Sequence, residues 1–152
     1  MPEESTLEQQ FCTFYLEELF FGVEVEKIQE VIRYQAMTRV PRAPQVIGGL
    51  INLRGQIVTA IDLRSRLEMP GRTSDRRPMN VVARTEDGVV SLLVDEIGDV
   101  VEVSPASFEA APETLQGAAR RMTRGVYKLE GRLLHCLDLA AVLQSENPRQ
   151  TN

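Results

Sequence analysis

Residues Gly49 to Leu67 read GLINLRGQIVTAIDLRSRL, and residues Gly125 to Leu143 read GVYKLEGRLLHCLDLAAVL. The two segments align without a gap at an offset of 76 residues. Glycine recurs at 49/125 and 55/131, leucine at 53/129 and 67/143, and Asp-Leu at 62–63/138–139. Farther out, Val25-Glu26-Lys27-Ile28-Gln29-Glu30-Val31-Ile32 is echoed by Val94-Asp95-Glu96-Ile97-Gly98-Asp99-Val100-Val101. That offset is 69, so the second copy carries seven extra residues between its landmarks. A repeat this long means one structural unit built twice. Two related halves offer two related surfaces, which suits a protein that holds two partners together.

The chain has 152 residues, 43% of them hydrophobic and 26% charged, with a net charge of −5. That is an ordinary globular profile. Each copy, at about 60 residues, is marginal alone, so the copies are expected to bury apolar surface against each other. The acidic balance argues against nucleic acid as a partner, because phosphate binding needs clustered positive charge. Arg72, Arg76 and Arg77 form one basic cluster and Arg120, Arg121 and Arg124 another; without interleaved aromatics, both read as solvated loops. The start, Met1-Pro2-Glu3-Glu4-Ser5, is acidic where an export signal is basic. No apolar run reaches the ~18 residues of a membrane span. A cytoplasmic chain without direct membrane insertion is expected. Cys12 and Cys136 have no metal-ligand spacing and read as reduced, buried thiols. No metal or cofactor is expected.

Phe11 to Leu16 and Leu19 to Val25 read as a hairpin around Glu17-Glu18, echoed by Met79 to Arg84 and Val89 to Val94 around Glu86-Asp87-Gly88. Thr38-Arg39-Val40 is a short strand stopped by Pro41 and Pro44. Leu50 to Leu53 and Gln56 to Ile61 flank the turn Arg54-Gly55, as Leu129 and Leu133 to Leu137 flank Glu130-Gly131. Asp62 and Asp138 are placed to cap short helices. Each copy thus has roughly five short strands, which close most economically as a small barrel without exposed edges. The fold class is all-β with short helices: two five-stranded, SH3-like barrel subdomains packed together. The layout is a tail over 1–10, one domain over 11–145 with copies near 11–68 and 78–144, and a tail over 146–152. Met69 to Pro78 reads as the internal linker, and Ser104 to Thr114 as a loop.

Catalytic arrangements are missing from the sequence. His135 is the one histidine and lies inside an apolar strand. Cys136 beside it points to the opposite face, so no nucleophile–base pair forms. Gly48-Gly49 lacks the Gly-Lys-Ser/Thr of a phosphate loop. The chain reads as no enzyme.

The stretch Arg39-Val40-Pro41-Arg42-Ala43-Pro44-Gln45-Val46-Ile47-Gly48-Gly49-Leu50-Ile51-Asn52-Leu53-Arg54-Gly55 resembles the signature of the CheW family of bacterial chemotaxis coupling proteins. Ile57 to Arg64, Val94 to Val100 and the closing Gly125–Leu143 segment resemble its continuation. The resemblance implies two SH3-like barrels across a shared core. It also implies a non-catalytic adaptor between the regulatory domain of a CheA-type histidine kinase and the cytoplasmic hairpin tip of a chemoreceptor, recruited to membrane receptor arrays. For receptor binding it implies Glu30, Arg54, Val90, Ser91, Ile97 and Val100; for kinase binding, Ile28, Val31 and Gly49. A receptor tip is a helical hairpin, so the expected mode is helices in an apolar groove between barrels.

The residues themselves leave alternatives open. Glu30 and Arg54 either pin one hairpin to its neighbour or contact the receptor. Ile28 and Val31 share a face if their segment is helical, as do Ile97 and Val100, and either pair could be core. Two departures from the family pattern stand out. Ser91 occupies a usual glycine position, and Phe108-Glu109-Ala110-Ala111-Pro112-Glu113-Thr114 stands where relatives read I-R-P-x-P-x-F. In the family that loop makes a second, ring-closing contact with the kinase, so a single kinase contact is expected here. The rival readings are a kinase-docking scaffold or decoy that never meets a receptor, and a small-ligand or enzymatic barrel.

Overall fold

The computed structural model describes residues 9–69 and 77–144. Most of the linker, residues 1–8 of the N-terminal tail and the C-terminal tail read from the sequence lie outside the described residues, while Gln9 and Gln10, read as tail, open the first strand. β1 (Gln9–Leu16) and β2 (Leu19–Glu24) form the first hairpin, and β3 (Ile28–Ile32) follows a 3-10 turn at Val25–Lys27. β4 (Ile47–Leu53) and β5 (Gln56–Asp62) form the second hairpin and lead into α1 (Leu63–Arg66). The second copy runs β6 (Met79–Thr85), β7 (Gly88–Val94), β8 (Glu96–Val103) and β9 (Phe108–Glu109). It closes with α2 (Gly117–Arg121), β10 (Thr123–Leu129), β11 (Arg132–Leu137) and α3 (Leu139–Gln144).

The strands assort into two sheets, ordered β8-β1-β2-β11-β10-β9 and β3-β6-β7-β5-β4. Each copy was expected to close on itself, and here the structure differs. The copies exchange their first hairpins: β1–β2 completes the sheet of the second copy, and β6–β7 that of the first. The links explain this. Only Asp95 separates β7 from β8. One residue cannot make the reversal that antiparallel pairing needs, so β8 runs on into the other sheet. The short turn between β2 and β3 has the same effect.

The two sheets share one plan. Phe21 of β2 sits opposite His135 of β11 in parallel pairing, and the equivalent Val90 of β7 sits opposite Thr59 of β5. The Asp62 N–H donates to the Val46 carbonyl and the Asp138 N–H to the Met122 carbonyl, both at 2.7 Å. Each aspartate then caps its helix, Asp62 Oδ1 accepting from Ser65 N and Asp138 Oδ1 from Ala141 N. Glu109 of β9 pairs with Val126, and Thr38 bridges Leu50, the equivalent position in the first copy. Here the repeated glycine has its reason. A Cβ on Gly49 would lie 2.9 Å from the Thr38 carbonyl oxygen, and one on Gly125 2.7 Å from that of Glu109. Real Cβ atoms do not come so close, so both crossings need glycine.

Burial follows the period-2 alternation of strands. In β1, Cys12, Phe14 and Leu16 face a core shared by both sheets, while Phe11 and Tyr15 face the interior of their own sheet. In β7, Val90, Leu92 and Val94 face the shared core and Leu93 the interior of the other sheet. The exchanged hairpins are therefore apolar on both faces. The shared core also takes Leu63 and Leu67 of the first copy and Leu139 and Val142 of the second. It is the burial between copies that the length of each half required.

Candidate functional site

The candidate surface starts from a bulge that occurs twice. Between Val25 and Ile32 the chain is a 3-10 turn and a strand, not a helix. Ile28 and Val31 nevertheless share a face. Ile28 pairs with Ala83 and Val31 with Val81, so one extra residue sits in β3. An extra residue resets the alternation, giving i and i+3 the same side. In β8, Ile97 pairs with Phe14 and Val100 with Cys12, the same bulge in the second copy. Both bulges aim at the shared core. Ile28 is buried in it and Ile97 packs on its margin. Val31, at 37% exposure, and Val100, at 56%, carry the same face out into solvent. The shared core thus has two apolar rims, one on the edge strand of each sheet.

Arg54 and Glu30 join across the first rim. β3 and β4 are the two ends of their sheet. Arg54, in the β4–β5 turn at φ +53°, donates from Nη2 to Glu30 Oε2 of β3. The pair closes the sheet end to end, yet Arg54 stays largely exposed. Hydrogen bonds from Arg54 and then Gln29 hold the Glu30 carboxyl below its ordinary range. The equivalent residues in the second copy are Glu130 and Asp99. Two acids cannot pair, so this clasp belongs to the first copy alone, and the surfaces that began as equivalents now differ in charge.

Three of the implied site residues lie inside the fold. Ser91 points into the interior of its sheet at 0% exposure, its hydroxyl donating to Asn80 Oδ1 at 2.7 Å. Asn80 passes the contact on from Nδ2 to the Arg33 carbonyl at 3.2 Å. Ile28 and Gly49 are likewise buried, the first in the core and the second under the Thr38 crossing. Their side chains shape the surface from below. Val90 is half-buried on the shared-core face. Glu30, Arg54, Val31, Ile97 and Val100 reach the surface and fall on or beside the two rims.

Sequence reasoning missed Ile57 and Arg64. Ile57 is 61% exposed two residues past the Arg54-Gly55 turn, on the outer face of β5. Strict alternation with buried Val58 and Ala60 was the signal for it. Arg64 is buried, and its guanidinium holds Asp95 and Glu17. A polar-looking Asp-Leu-Arg-Ser stretch gave no such sign.

The basic cluster at 120–124 is exposed, as a solvated cluster should be, but it lies on α2 and β10 and not in a loop, and two of its arginines also hold structural contacts. Arg120, on α2, donates to the Pro112 and Leu115 carbonyls at 2.7 and 2.9 Å and fixes the loop after β9. Arg124 pairs with Glu24 and also donates to Cys136 Sγ at 3.2 Å. Burial pushes the Cys136 thiol up against the lowering effect of Arg124, and burial pushes Cys12 up too. His135 Nδ1–H donates to the Phe20 carbonyl at 2.9 Å inside the fold. Among the described residues no group of three His, Cys, Asp or Glu could hold a metal ion. In the altered loop, Phe108 is exposed and packs against Tyr127, the rings tilted by 57° with centroids 5.0 Å apart, and Glu109 pairs with Lys128 at 3.6 Å.

Comparison with known proteins agrees with this geometry. A chemotaxis protein CheW of Klebsiella aerogenes is 33% identical over 141 residues, covering 93% of this chain and 85% of its own. One from Bacillus subtilis is 34% identical over 127 residues, covering 84% and 81%. The crystal structure of the scaffolding protein TtCheW from Thermoanaerobacter tengcongensis shares the fold at a TM-score of 0.81. It does so with 23% identity, covering 91% of this chain and 94% of that one. The CheW-like domain family matches residues 10–147. Duplicated barrels, exchanged hairpins, twin rims and these likenesses come to one conclusion: the chain belongs to the CheW family.

Proposed function

We propose that this chain is a non-catalytic signalling adaptor that couples chemoreceptors to a CheA-type histidine kinase in a chemotaxis-like pathway. The observation that carries the proposal is the pair of apolar rims at Val31 and Val100, built by the same bulge on opposite edge strands. Two related but non-identical surfaces are what a bridge between two partners needs. The rim with Ile97 and Val100 suits the apolar face of a helical receptor tip. Its neighbours Glu96, Asp99 and Glu102 make it acidic. The rim with Val31, clasped by Arg54 and Glu30, suits the regulatory domain of the kinase, with Arg54 reaching the receptor from the groove edge.

Glu109 is already engaged by Lys128, and Thr114 replaces the aromatic of relatives. Buried aromatics and arginines dominate interface energies, so the loop after β9 offers little to a second kinase contact. One kinase regulatory domain is bound per chain. Among the described residues no helix is long and apolar enough to cross a membrane, and recruitment to a receptor array in the cytoplasm is part of this proposal.

Titration calorimetry with the receptor tip and with the kinase regulatory domain, run separately, tests the reading. Both should bind, and Val100→Glu should weaken the receptor at least tenfold. Kinase binding without receptor binding would establish the docking-scaffold reading in its place. A 3:3 or larger ring with the kinase by light scattering would refute the single contact.

A further inference from the structure

Between Glu30 and Asp62 the chain carries no acidic residue, although the whole has a net charge of −5. Its only charges there are Arg33, Arg39, Arg42 and Arg54. Arg54 has Glu30. Arg39 and Arg42, both exposed, have neither an ion pair nor a side-chain hydrogen bond among the described residues. They stand on the wall of a pocket of about 500 Å³ formed by the β3–β4 connection. Its apolar surface comes from Met37, Val40, Pro44 and Ile47. Tyr34 completes it, with the Arg77 guanidinium 4.9 Å over its ring. Two cations, Arg39 and Arg42, and an apolar floor therefore line one opening.

The backbone adds a second observation. Val40 to Ala43 is a turn closed by Ala43 N–H donating to the Val40 carbonyl at 3.1 Å. Its third residue, Arg42, takes φ +67°. That position of a type II turn favours glycine or asparagine. A long side chain held there is strained, and strain of this kind is retained where the site needs it. The turn itself would be better served by glycine. What arginine adds is a cation projected at the pocket.

We propose that the pocket walled by Arg39 and Arg42 binds an acidic protein segment that also carries an apolar side chain. The cations meet its carboxylates, Arg being suited to planar, two-point contacts with them. The floor of Met37 and Ile47 takes the apolar group. A nucleic acid fits less well. The overall negative charge repels a long polyanion, and few cations are present to replace its counterions. A short segment confined to the pocket escapes most of that repulsion, because salt screens charges beyond about 10 Å. The site is separate from the Arg54 end of the clasp. It lies at the Ile47 end of β4 and Arg54 beyond the Leu53 end, about 20 Å apart at strand rise.

The probe is a fluorescein-labelled peptide, Glu-Leu-Glu-Glu-Leu-Glu, blocked at its C-terminus, with a Gln-for-Glu version and a 12-nucleotide oligo-dT as comparisons. Polarisation titrations of the full chain at about 0.1 M salt, where the screening length is about 10 Å, should show binding of the acidic peptide. Amide shifts on titration should cluster at residues 34–48. Arg39→Ala/Arg42→Ala should weaken binding at least tenfold while receptor and kinase affinities hold. Arg42→Gly separates ligand binding from a merely structural role: it should weaken binding while the unfolding midpoint stays level or rises. Unchanged affinity in the double variant would overturn the proposal. So would equal binding of the Gln peptide, stronger binding of oligo-dT, or amide shifts scattered over the surface.

Discussion

Arg64 and Asp95 are joined by two bonds, Nε to Oδ1 at 3.1 Å and Nη2 to Oδ2 at 2.7 Å. Asp95 is the single residue between β7 and β8, so it marks the point where the chain passes from one sheet to the other. Its N–H donates to the Tyr15 carbonyl of β1 at 3.0 Å. Arg64, on α1, also holds Glu17 in the β1–β2 turn at 2.8 Å. One buried cation therefore ties the capping helix of the first copy to the crossover of the second and to the exchanged hairpin.

Arg64→Met should destabilise the protein by about 3 kcal/mol, the low end for breaking a buried pair because Glu17 reaches solvent. Urea unfolding measures it. A loss near that of an ordinary surface substitution, within about 0.5 kcal/mol, would show that the contact is dispensable.

Arg54→Ala should behave in the opposite way. The pair with Glu30 is exposed, and exposed pairs add little to stability. Arg54→Ala, Glu30→Ala and the double variant should keep midpoints within about 2 °C of the parent. Receptor affinity should fall further than kinase affinity in Arg54→Ala. A large, non-additive stability loss would make the pair a structural clasp and nothing more.

Ser91→Ala should cost about 1–2 kcal/mol, because Asn80 Oδ1 loses its donor in a buried site. Ser91→Ala/Asn80→Val, which removes both partners, should recover part of that loss. The effect on receptor binding should be small, since Ser91 does not reach the surface.

Acid should weaken the fold through Glu24. Burial pushes its carboxyl up, but the Arg124 hydrogen bond and the charges of Arg124 and Lys27 outweigh it and hold it below the ordinary 4.5. A lowered folded value means the contribution is complete above the unfolded value and is lost as pH falls through the folded one. Urea midpoints at pH 6, 5, 4 and 3 should decline chiefly below 4.5. Glu24→Gln should flatten that decline, and an unaltered slope would exclude Glu24 as a contributor.

The parts legible in the sequence are those set by short-range geometry. The Arg54-Gly55 and Glu130-Gly131 turns, the Asp62 and Asp138 caps, and the alternation of β1 and β7 all follow from residues within a few positions of one another. Hairpin exchange does not, because equivalent strands in the two copies carry the same pattern, and pattern cannot say which copy a strand will pair with. The length of the β7–β8 link held that information. Val31 and Val100 would share a face with Ile28 and Ile97 in a helix; they share it through a bulge in a strand, which composition does not announce. Arg64 and Ser91 hid for a common reason: a buried polar group is identified by a partner distant in sequence, here Asp95 and Asn80.

The exchange of hairpins also sets an order in time. The sheet of β3, β4, β5, β6 and β7 has all its strands once Val94 has left the ribosome. The other sheet needs β11 beside β2, and β11 is made after every other described strand. During synthesis the first hairpin to emerge is the last to gain its final neighbour. Until then the free side of β2, with Phe20 and Phe21, is an open strand edge, the kind that invites pairing with another chain. A nascent chain halted before β11 should therefore be the form of this protein most prone to stick to itself, while in the finished chain β11 pairs along that edge at Phe21 and Gly22.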